Sequence, residues 1–268
     1  MKTKLFFLSL SAWVLITSCQ KSGIAEFSSL PVVESYLAPG KKINLMISEK
    51  IPYNESEGTA DTSVNTLDIS VGYNGVYYNI IPLGNGIYSD TAGNVSVIAD
   101  STYTLLFMFN GSHVYSSTII PPRPVGVTQS ATTIKMSQID PESQSWFDMP
   151  DPVEITFSND DQSYYLVTVV CIDSVRVPVY KDSIPENDIY SSMPVTGTQI
   201  NIMPMQLSYF GLNRIILYHI NPEYATFFTQ QASTSQNYQE PPTNIENGLG
   251  IFTGINADTL FLNVVQEK

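Results

Sequence analysis

The feature that most constrains the fold of this chain is a set of three of its four Asn-Gly dipeptides, each of the three between two short apolar runs. They are Asn74-Gly75, Asn85-Gly86 and Asn110-Gly111. Both residue types accept the positive φ angles of a type I′ turn, and this turn matches the twist of paired strands. The sequence therefore predicts consecutive antiparallel hairpins, with no helix between Val32 and Ile120. About seven strands fit in this stretch, which favours a β-sandwich.

Prolines mark the end of this first unit. The run Pro121-Pro122-Arg123-Pro124 cannot continue a strand ladder and favours an extended linker. A regular alternation of apolar and polar residues begins again at Val153. The predicted layout is a β-sandwich domain over residues 31–122, a linker over residues 123–152, and a second β-rich domain over residues 153–268.

The second domain is predicted to contain one amphipathic helix. Asn221-Pro222-Glu223 has the residue types that begin a helix, and the helix is expected to end near Ser233. The spacing i, i+3, i+4 and i+7 predicts a face packed on the sheet as core, not a cofactor site. That face comprises Tyr224, Phe227, Phe228 and Gln231.

The N-terminus carries the features of a lipoprotein signal peptide over residues 1–18. A short positive segment is followed by the apolar run Leu5 to Ile16, which is shorter than the roughly 20 residues needed to span a bilayer. Ile16-Thr17-Ser18-Cys19 then resembles a bacterial lipobox, in which the cysteine becomes the acylated, palmitate-bearing N-terminus. We expect lipidation at Cys19, a tether over residues 19–30, and export to the cell envelope. The alternative is cleavage elsewhere, with Cys19 an ordinary thiol.

The charge balance excludes one class of partner. The chain has 12 Lys and Arg against 25 Asp and Glu, and a net charge of −13. Loss of Lys2 and Lys4 with the signal peptide would leave 10 basic residues against 25 acidic ones, or −15. Nucleic-acid binding needs clustered basic residues, so no nucleic acid is expected as a partner.

The cysteine count leaves no internal disulfide once Cys19 is lipidated. The remaining cysteine, Cys171, ends an apolar run that is typical of a buried strand. No His or Asn motif accompanies it, so a buried structural thiol is favoured over a nucleophile.

Catalytic and metal-binding patterns are absent from the sequence. His113 is predicted to be a strand residue at the surface and His219 a hydrogen-bonded sheet residue, and neither has a partner at metal-ligand spacing. We expect no enzyme activity, cofactor or metal site. Asn159-Asp160-Asp161 has oxygen ligands that suit calcium, but a solvated turn is the favoured interpretation. Trp146 and Phe147 are the best candidates for ligand contact, with packing between the two domains as the alternative.

Five Asp-Ser or Asp-Thr pairs, each with a short residue pattern after it, resemble the short acceptor sequence of a bacterial O-glycosylation system. Such pairs are also common in ordinary turns, so both interpretations remain open. The predicted acceptor residues are Thr91, Ser101, Ser174, Ser183 and Thr259.

Several segments, in their order along the chain, resemble one family of Bacteroidetes lipoproteins, catalogued as domain of unknown function 4249. After the lipobox come the turn before Ile87-Tyr88 and the strand ending at Ile119-Ile120. The helix start at Asn221 follows, and the most recognisable segment is Asn244-Ile245-Glu246-Asn247-Gly248-Leu249-Gly250-Ile251-Phe252.

The resemblance implies an N-terminal transthyretin- or immunoglobulin-like β-sandwich and a second β-rich domain, without known catalytic residues. It also implies an outer-membrane lipoprotein that acts as an accessory or binding component beside a TonB-dependent transporter. A structural or adhesive surface module, like a fimbrial or matrix component, is the alternative. Gln20-Lys21-Ser22-Gly23 lacks the acidic cluster typical of surface export, so the sequence assigns no membrane face.

Overall fold

The structure is a computed structural model that describes residues 29–50, 62–140, 149–182, 185, 187–230 and 242–267. The chain divides into two compact units, one of Met1–Ser29 with Ile51–Ala60 and the other of Leu30–Lys50 with Asp61–Lys268. The first unit lies outside the described residues except for Ser29, so the predicted signal peptide, Cys19 and most of the tether also lie outside them. Everything below concerns the second unit.

The predicted mostly-β fold is confirmed by 16 strands and a single α-helix in the described part of the chain. The first seven strands are β1 Pro31–Leu37, β2 Asn44–Glu49, β3 Ile69–Tyr73, β4 Val76–Gly84, β5 Ile87–Ser89, β6 Thr102–Phe109 and β7 Ser112–Ile119. The later elements are β8 Thr128–Gln129, β9 Thr133–Met136, β10 Val153–Thr156, β11 Tyr164–Cys171, β12 Val177–Pro178, β13 Ile189–Ser191, β14 Gln199–Ile202, β15 Tyr209–Ile220, α1 Pro222–Gln230 and β16 Leu249–Gln266.

All three predicted hairpins are confirmed. Asn74, Asn85 and Asn110 have φ angles of 51°, 53° and 47°, and each following glycine also has a positive φ. These turns join β3 to β4, β4 to β5, and β6 to β7 in antiparallel pairs. Local turn chemistry therefore sets the strand register through this part of the chain.

The first seven strands form a sandwich because β4 belongs to both of its sheets. Residues 76–80 of β4 pair with β3, and residues from Ile81 onwards pair with β5. The inward-facing side chains of both sheets form one apolar core that includes Val33, Leu45, Val71 and Leu105. Apolar and polar residues alternate along these strands because successive side chains face this core and the solvent in turn.

A second apolar core lies between two further sheets. One sheet has the order β13-β11-β15-β16 with β9 beside β16, and the other has the order β14-β10-β8. Ile155, Val167, Leu217 and Leu262 are buried between them. The described residues therefore contain two large apolar cores, each enclosed by its own set of strands.

The structure has two features that the predicted boundaries at residues 122 and 153 do not include. The segment 123–152, predicted as a linker, contains β8 and β9, which pair with β10 and β16. The strand β16 pairs in parallel with β1 over Leu249–Gly254 and antiparallel with β15 over Ile255–Val264. A single 18-residue strand therefore belongs to both sandwiches.

The predicted helix is present as α1. Tyr224, Ala225 and Phe228 pack with Leu166 and Ile220 on the outer face of the β15 sheet. The predicted end near Ser233 and the contact of Gln231 fall outside the described residues, and Phe227 is half-buried. No described helix is both long enough and apolar enough to span a bilayer.

A hydrogen-bond network fixes the start of α1 to the point where β16 changes sheets. The side chain of Asn221, predicted as a helix cap, instead donates to the carbonyl of Ile119 at 2.8 Å and to Thr118 Oγ1 at 3.0 Å. The Glu223 carboxylate accepts from Thr253 Oγ1 at 2.9 Å and from Thr118 Oγ1 at 3.3 Å. Three elements distant in sequence are thereby joined through polar side chains.

Candidate ligand-binding cleft

A cleft of about 570 Å³ lies between the turn that joins β1 to β2 and the outer face of β15 and β16. Its volume is within the range of small-molecule sites, which is roughly 300–1,000 Å³. The lining residues are Tyr36, Ala38, Pro39, Lys41, Lys42, Asn44, Arg214, Ile216, Tyr218, Ile255, Asn256, Ala257 and Thr259. We call this space the β1–β15 cleft.

Strand alternation explains which side chains of β15 reach the cleft. Ile215 and Leu217 are buried in the second core, so the residues between and beside them face the other side of the sheet. Arg214, Ile216 and Tyr218 therefore share one face, and the register places Ile216 opposite Thr259 of β16. The floor of the cleft is thus an outward sheet face whose other face is core.

A tight turn brings two lysines to the opposite wall. Gly40 has a φ of 73°, and the amide of Lys41 donates to the carbonyl of Ala38 at 3.1 Å. Pro39 followed by a glycine with positive φ is the sequence that a type II turn favours. The turn therefore positions Lys41 and Lys42 at the end of the first sandwich, beside the cleft.

The cleft concentrates positive charge in an acidic protein. Lys41, Lys42 and Arg214 line it, and no Asp or Glu is among its lining residues. The described part of the chain contains eight Lys and Arg residues, and three of these are paired with aspartates. Three of the other five line this one cleft. The site is therefore electrostatically suited to an anion.

None of the three cations is neutralised by a carboxylate among the described residues. The Lys42 ammonium donates to the carbonyl of Thr91 at 2.8 Å, which fixes its position without cancelling its charge. Asp258 lies in sequence between the lining residues Ala257 and Thr259, and its carboxylate is paired with Arg123 at 2.5 Å.

Tyr36 and Tyr218 add aromatic surface to the cleft, and Tyr36 also packs against α1. The ring of Tyr36 is 37% exposed and lies 5.1 Å from the ring of Tyr224 on α1, at a 56° tilt. Burial, followed by the nearby Tyr224 and Glu34, raises the pKa of Tyr36 well above its ordinary value. Burial likewise raises the pKa of Tyr224. The Tyr36 hydroxyl, which already has Glu34 and Tyr224 as hydrogen-bond partners, therefore stays neutral at physiological pH.

The residues that form the cleft were missed by the sequence analysis. Lys41 and Lys42 are the only adjacent basic pair in the chain, and they follow a Pro-Gly turn. Arg214 is a charged residue directly before the apolar run Ile215-Ile216-Leu217. These were the available signals, but only the fold brings the turn beside β15.

The two histidines lie where the sequence predicts. His113 is exposed on β7 next to the Asn110-Gly111 turn. His219 is 5% exposed, stacks on Tyr165 with a centroid distance of 4.5 Å, and donates from Nδ1 to the carbonyl of Pro122 at 2.9 Å. Burial lowers the pKa of His219, so the ring is neutral at physiological pH.

Cys171 and the Asn159 turn have structural partners. The thiol of Cys171 is 2% exposed and faces the carbonyl of Phe210, as predicted for a structural cysteine. The Asn159 amide donates to three backbone carbonyls, and the Asp161 carboxylate accepts from both the amide and the hydroxyl of Ser163. The described residues contain no group of three or more His, Cys, Asp or Glu placed to hold a metal.

The remaining predicted site residues are dispersed. Trp146, Phe147 and Ser183 lie outside the described residues. Thr91 and Ser174 are exposed in loops, and Ser101 is half-exposed before β6. Thr259 is exposed within β16 and lines the β1–β15 cleft, so a glycan attached there would occupy it.

The segment Asn244 to Phe252, recognisable in the sequence, has an architectural role. The Asn244 side chain donates to the carbonyl of Phe252 at 2.7 Å and accepts from its amide at 3.0 Å. Phe252 is fully buried in the first core, and Gly250 has a φ of 95° where a Cβ would overlap the carbonyl of Val33. These residues hold the first part of β16 against β1 and do not line the cleft.

Comparison with known proteins identifies one family model, described as Domain of unknown function (DUF4249), which matches residues 22–260. No curated protein matches the chain significantly. Among solved structures, the FN1–FN3 domains of chicken CNTN1 align with a TM-score of 0.21 and 9% identity, covering 88% of this chain and 67% of theirs.

Proposed function

The chain belongs to the family described as Domain of unknown function (DUF4249), and from this premise we propose that it is a non-catalytic, lipid-anchored binding protein of the cell envelope. It would work as an accessory component beside an outer-membrane TonB-dependent transporter. The anchor would be the acylated Cys19, with the globular part held at the membrane by the tether.

The single observation that carries a binding role is the β1–β15 cleft. Its floor belongs to a sheet that is packed on its other face, and the Lys42 ammonium is held by the Thr91 carbonyl. A site on such elements is largely formed before its ligand arrives, which reduces the entropy cost of binding. The cleft combines aromatic, amide, hydroxyl and cationic groups, which are the groups that bind and orient small polar molecules.

The same cleft does not support a catalytic role. Its titratable lining groups are Lys41, Lys42, Arg214 and two tyrosines, and it has no carboxylate, histidine or cysteine. General acid–base catalysis usually uses a group that titrates near the working pH. The neutral Tyr36 and the three cations suit recognition of a ligand better than proton transfer.

An adhesive module that polymerises through a sheet edge is less well supported. The strand β7 ends the order of the long sheet, but Tyr115 on it exchanges backbone hydrogen bonds with Glu246 at 3.3 and 2.8 Å. Asn247 also donates to the carbonyl of His113 at 2.8 Å. The segment around residue 246 therefore covers part of this edge, which hinders pairing with a second copy there.

The proposal is tested by purification of the natural chain, with a C-terminal tag, from its own membrane in mild detergent. We expect a TonB-dependent transporter in stoichiometric amount in the mass spectrum of the eluate. The Cys19→Ser variant is the matched control, and it should lose both the acyl mass and the membrane fraction. Recovery of the correctly lipidated protein alone would refute the accessory role, and ladder-like oligomers would favour the adhesive module.

A further inference from the structure

We propose that the β1–β15 cleft binds a small organic anion that carries two or more carboxylate or phosphate groups. This inference rests on the proposed binding function and specifies the chemical class of its ligand. It depends on where the few basic residues of the chain are placed.

The distribution of charge argues for a multivalent anion. The described cations outside the cleft are Arg123, Arg176 and Lys181, each within 2.5–3.2 Å of an aspartate, and the two unpaired residues Lys50 and Lys135. The cleft holds three cations with no carboxylate among its lining residues. The chain has 25 acidic residues, so carboxylates that could form ion pairs with these cations are plentiful. None of the three forms an ion pair with a described carboxylate, and the Glu34 carboxylate beside Tyr36 is engaged by the Tyr36 hydroxyl. The cleft is therefore a local positive site on an acidic surface, which attracts anions.

The types of cation also argue for carboxylate or phosphate groups. Arg214 projects from the middle of a 12-residue strand, so its guanidinium starts from a rigid base. A guanidinium binds a planar carboxylate or a phosphate through two parallel hydrogen bonds, whereas a lysine acts as a point charge. One arginine on the floor and two lysines on the wall can hold two separate negative groups of one molecule.

The remaining lining groups favour an anion on a carbon framework over an inorganic ion. Tyr36 and Tyr218 present rings, and Ile216 and Ile255 present apolar side chains, next to the cations. Aromatic rings contribute large contact areas that an inorganic ion cannot use. The cleft volume of about 570 Å³ also exceeds what a single phosphate or carboxylate would fill.

The test uses isothermal titration of the full chain in detergent with four probes. Citrate and trigalacturonate carry carboxylates, inositol 1,4,5-trisphosphate carries phosphates, and maltotriose is the neutral control. We expect at least one of the anionic probes to bind with a Kd below about 1 mM, and maltotriose not to bind. Affinity should fall as NaCl is raised from about 0.05 M to about 0.5 M, because salt screens exposed charges.

Matched variants separate the cleft from overall charge. The double variant Lys41→Gln with Arg214→Gln should lower the affinity for the bound anion by about tenfold or more, because each lost charge-assisted contact contributes substantially. The double variant Lys50→Gln with Lys135→Gln removes the same charge outside the cleft and should bind normally. Equal losses in both double variants, or absence of binding by any anionic probe, would overturn the inference.

The two proposals fail in different experiments. If the transporter is recovered with the chain but no anion binds, the ligand class is wrong and the accessory role stands. If an anion binds in the cleft but no transporter is recovered, the accessory role is wrong and the ligand class stands. Carboxylate and phosphate sources are distinguished by which probe gives the lower Kd.

Discussion

The role of Asn244 yields the most specific prediction about stability. Its amide group makes two hydrogen bonds to the backbone of Phe252, a donation of 2.7 Å to the carbonyl and an acceptance of 3.0 Å from the N–H. Over residues 249–254, β16 has β1 on one side, and the Asn244 side chain supplies the partner that a neighbouring strand would give on the other. Phe252 itself is fully buried, so water cannot replace this partner without local opening.

Substitution Asn244→Ala should therefore lower the free energy of unfolding by about 2–4 kcal/mol. This magnitude follows from two buried backbone groups that each lose a partner, at about 1–3 kcal/mol per group, reduced because Asn244 is itself only half-buried. Asn244→Asp should cost at least as much, because a carboxylate keeps the acceptor but faces the carbonyl oxygen of Phe252. The loss should be measured by urea unfolding followed by circular dichroism.

The matched control for this prediction is Asn201→Ala. Asn201 is exposed on β14, and its amide oxygen only accepts from the side chain of Gln199. We expect a change within about 0.5 kcal/mol for this surface position. If Asn244→Ala matches this control, the side chain does not replace a missing strand, and the architectural account of the segment is refuted.

Three further predictions concern the contact of Gly250 with the backbone of β1, the buried imidazole of His219 and the buried thiol of Cys171. Gly250→Ala should destabilise by more than about 2 kcal/mol, because the φ of 95° disfavours a side chain and its Cβ would overlap the carbonyl of Val33. Gly197→Ala, with open space around the added Cβ, should cost far less in the same urea assay. The pKa of His219 is lowered by burial, so the unfolded state binds the proton more tightly. The contribution of neutral His219 to the free energy of unfolding should be complete above about pH 6.5 and should be lost as the pH falls towards the pKa of His219 in the folded state. The His219→Gln variant should lack this pH dependence. Cys171 should react with a thiol reagent only when the chain is unfolded in urea, since it is 2% exposed; rapid reaction of the folded protein would contradict its placement.

The elements that could be predicted from the sequence depend on local chemistry. The turns at Asn74 and Asn110 require positive φ at two adjacent positions, which Asn and Gly accept more readily than other residues. The helix start near Pro222 depends on its own residue types in the same way. Short-range rules of this kind located the hairpins and the helix without reference to the rest of the fold.

The features that could not be predicted depend on contacts between distant residues. The parallel pairing of β1 with β16 joins Val32 to Leu249, and no local pattern specifies such a partner. The strands β8 and β9 have two and four residues, too few to show an alternation within the segment predicted as a linker. The β1–β15 cleft combines Lys41 with Arg214, which approach each other only because β16 joins the two sandwiches.

The structure separates the residues that maintain the fold from those that offer a function. Asn244, Gly250 and Phe252 are committed to the backbone or to the core, so changes there act on stability. Lys41 and Arg214 have no ion pair among the described residues and project from elements that are fixed by other contacts. Replacement of these two residues should leave the free energy of unfolding nearly unchanged but should lower the affinity of the cleft for anions. The recognisable segment of the family thus stabilises the framework, whereas the proposed anion site depends on residues that contribute little to the stability of the fold.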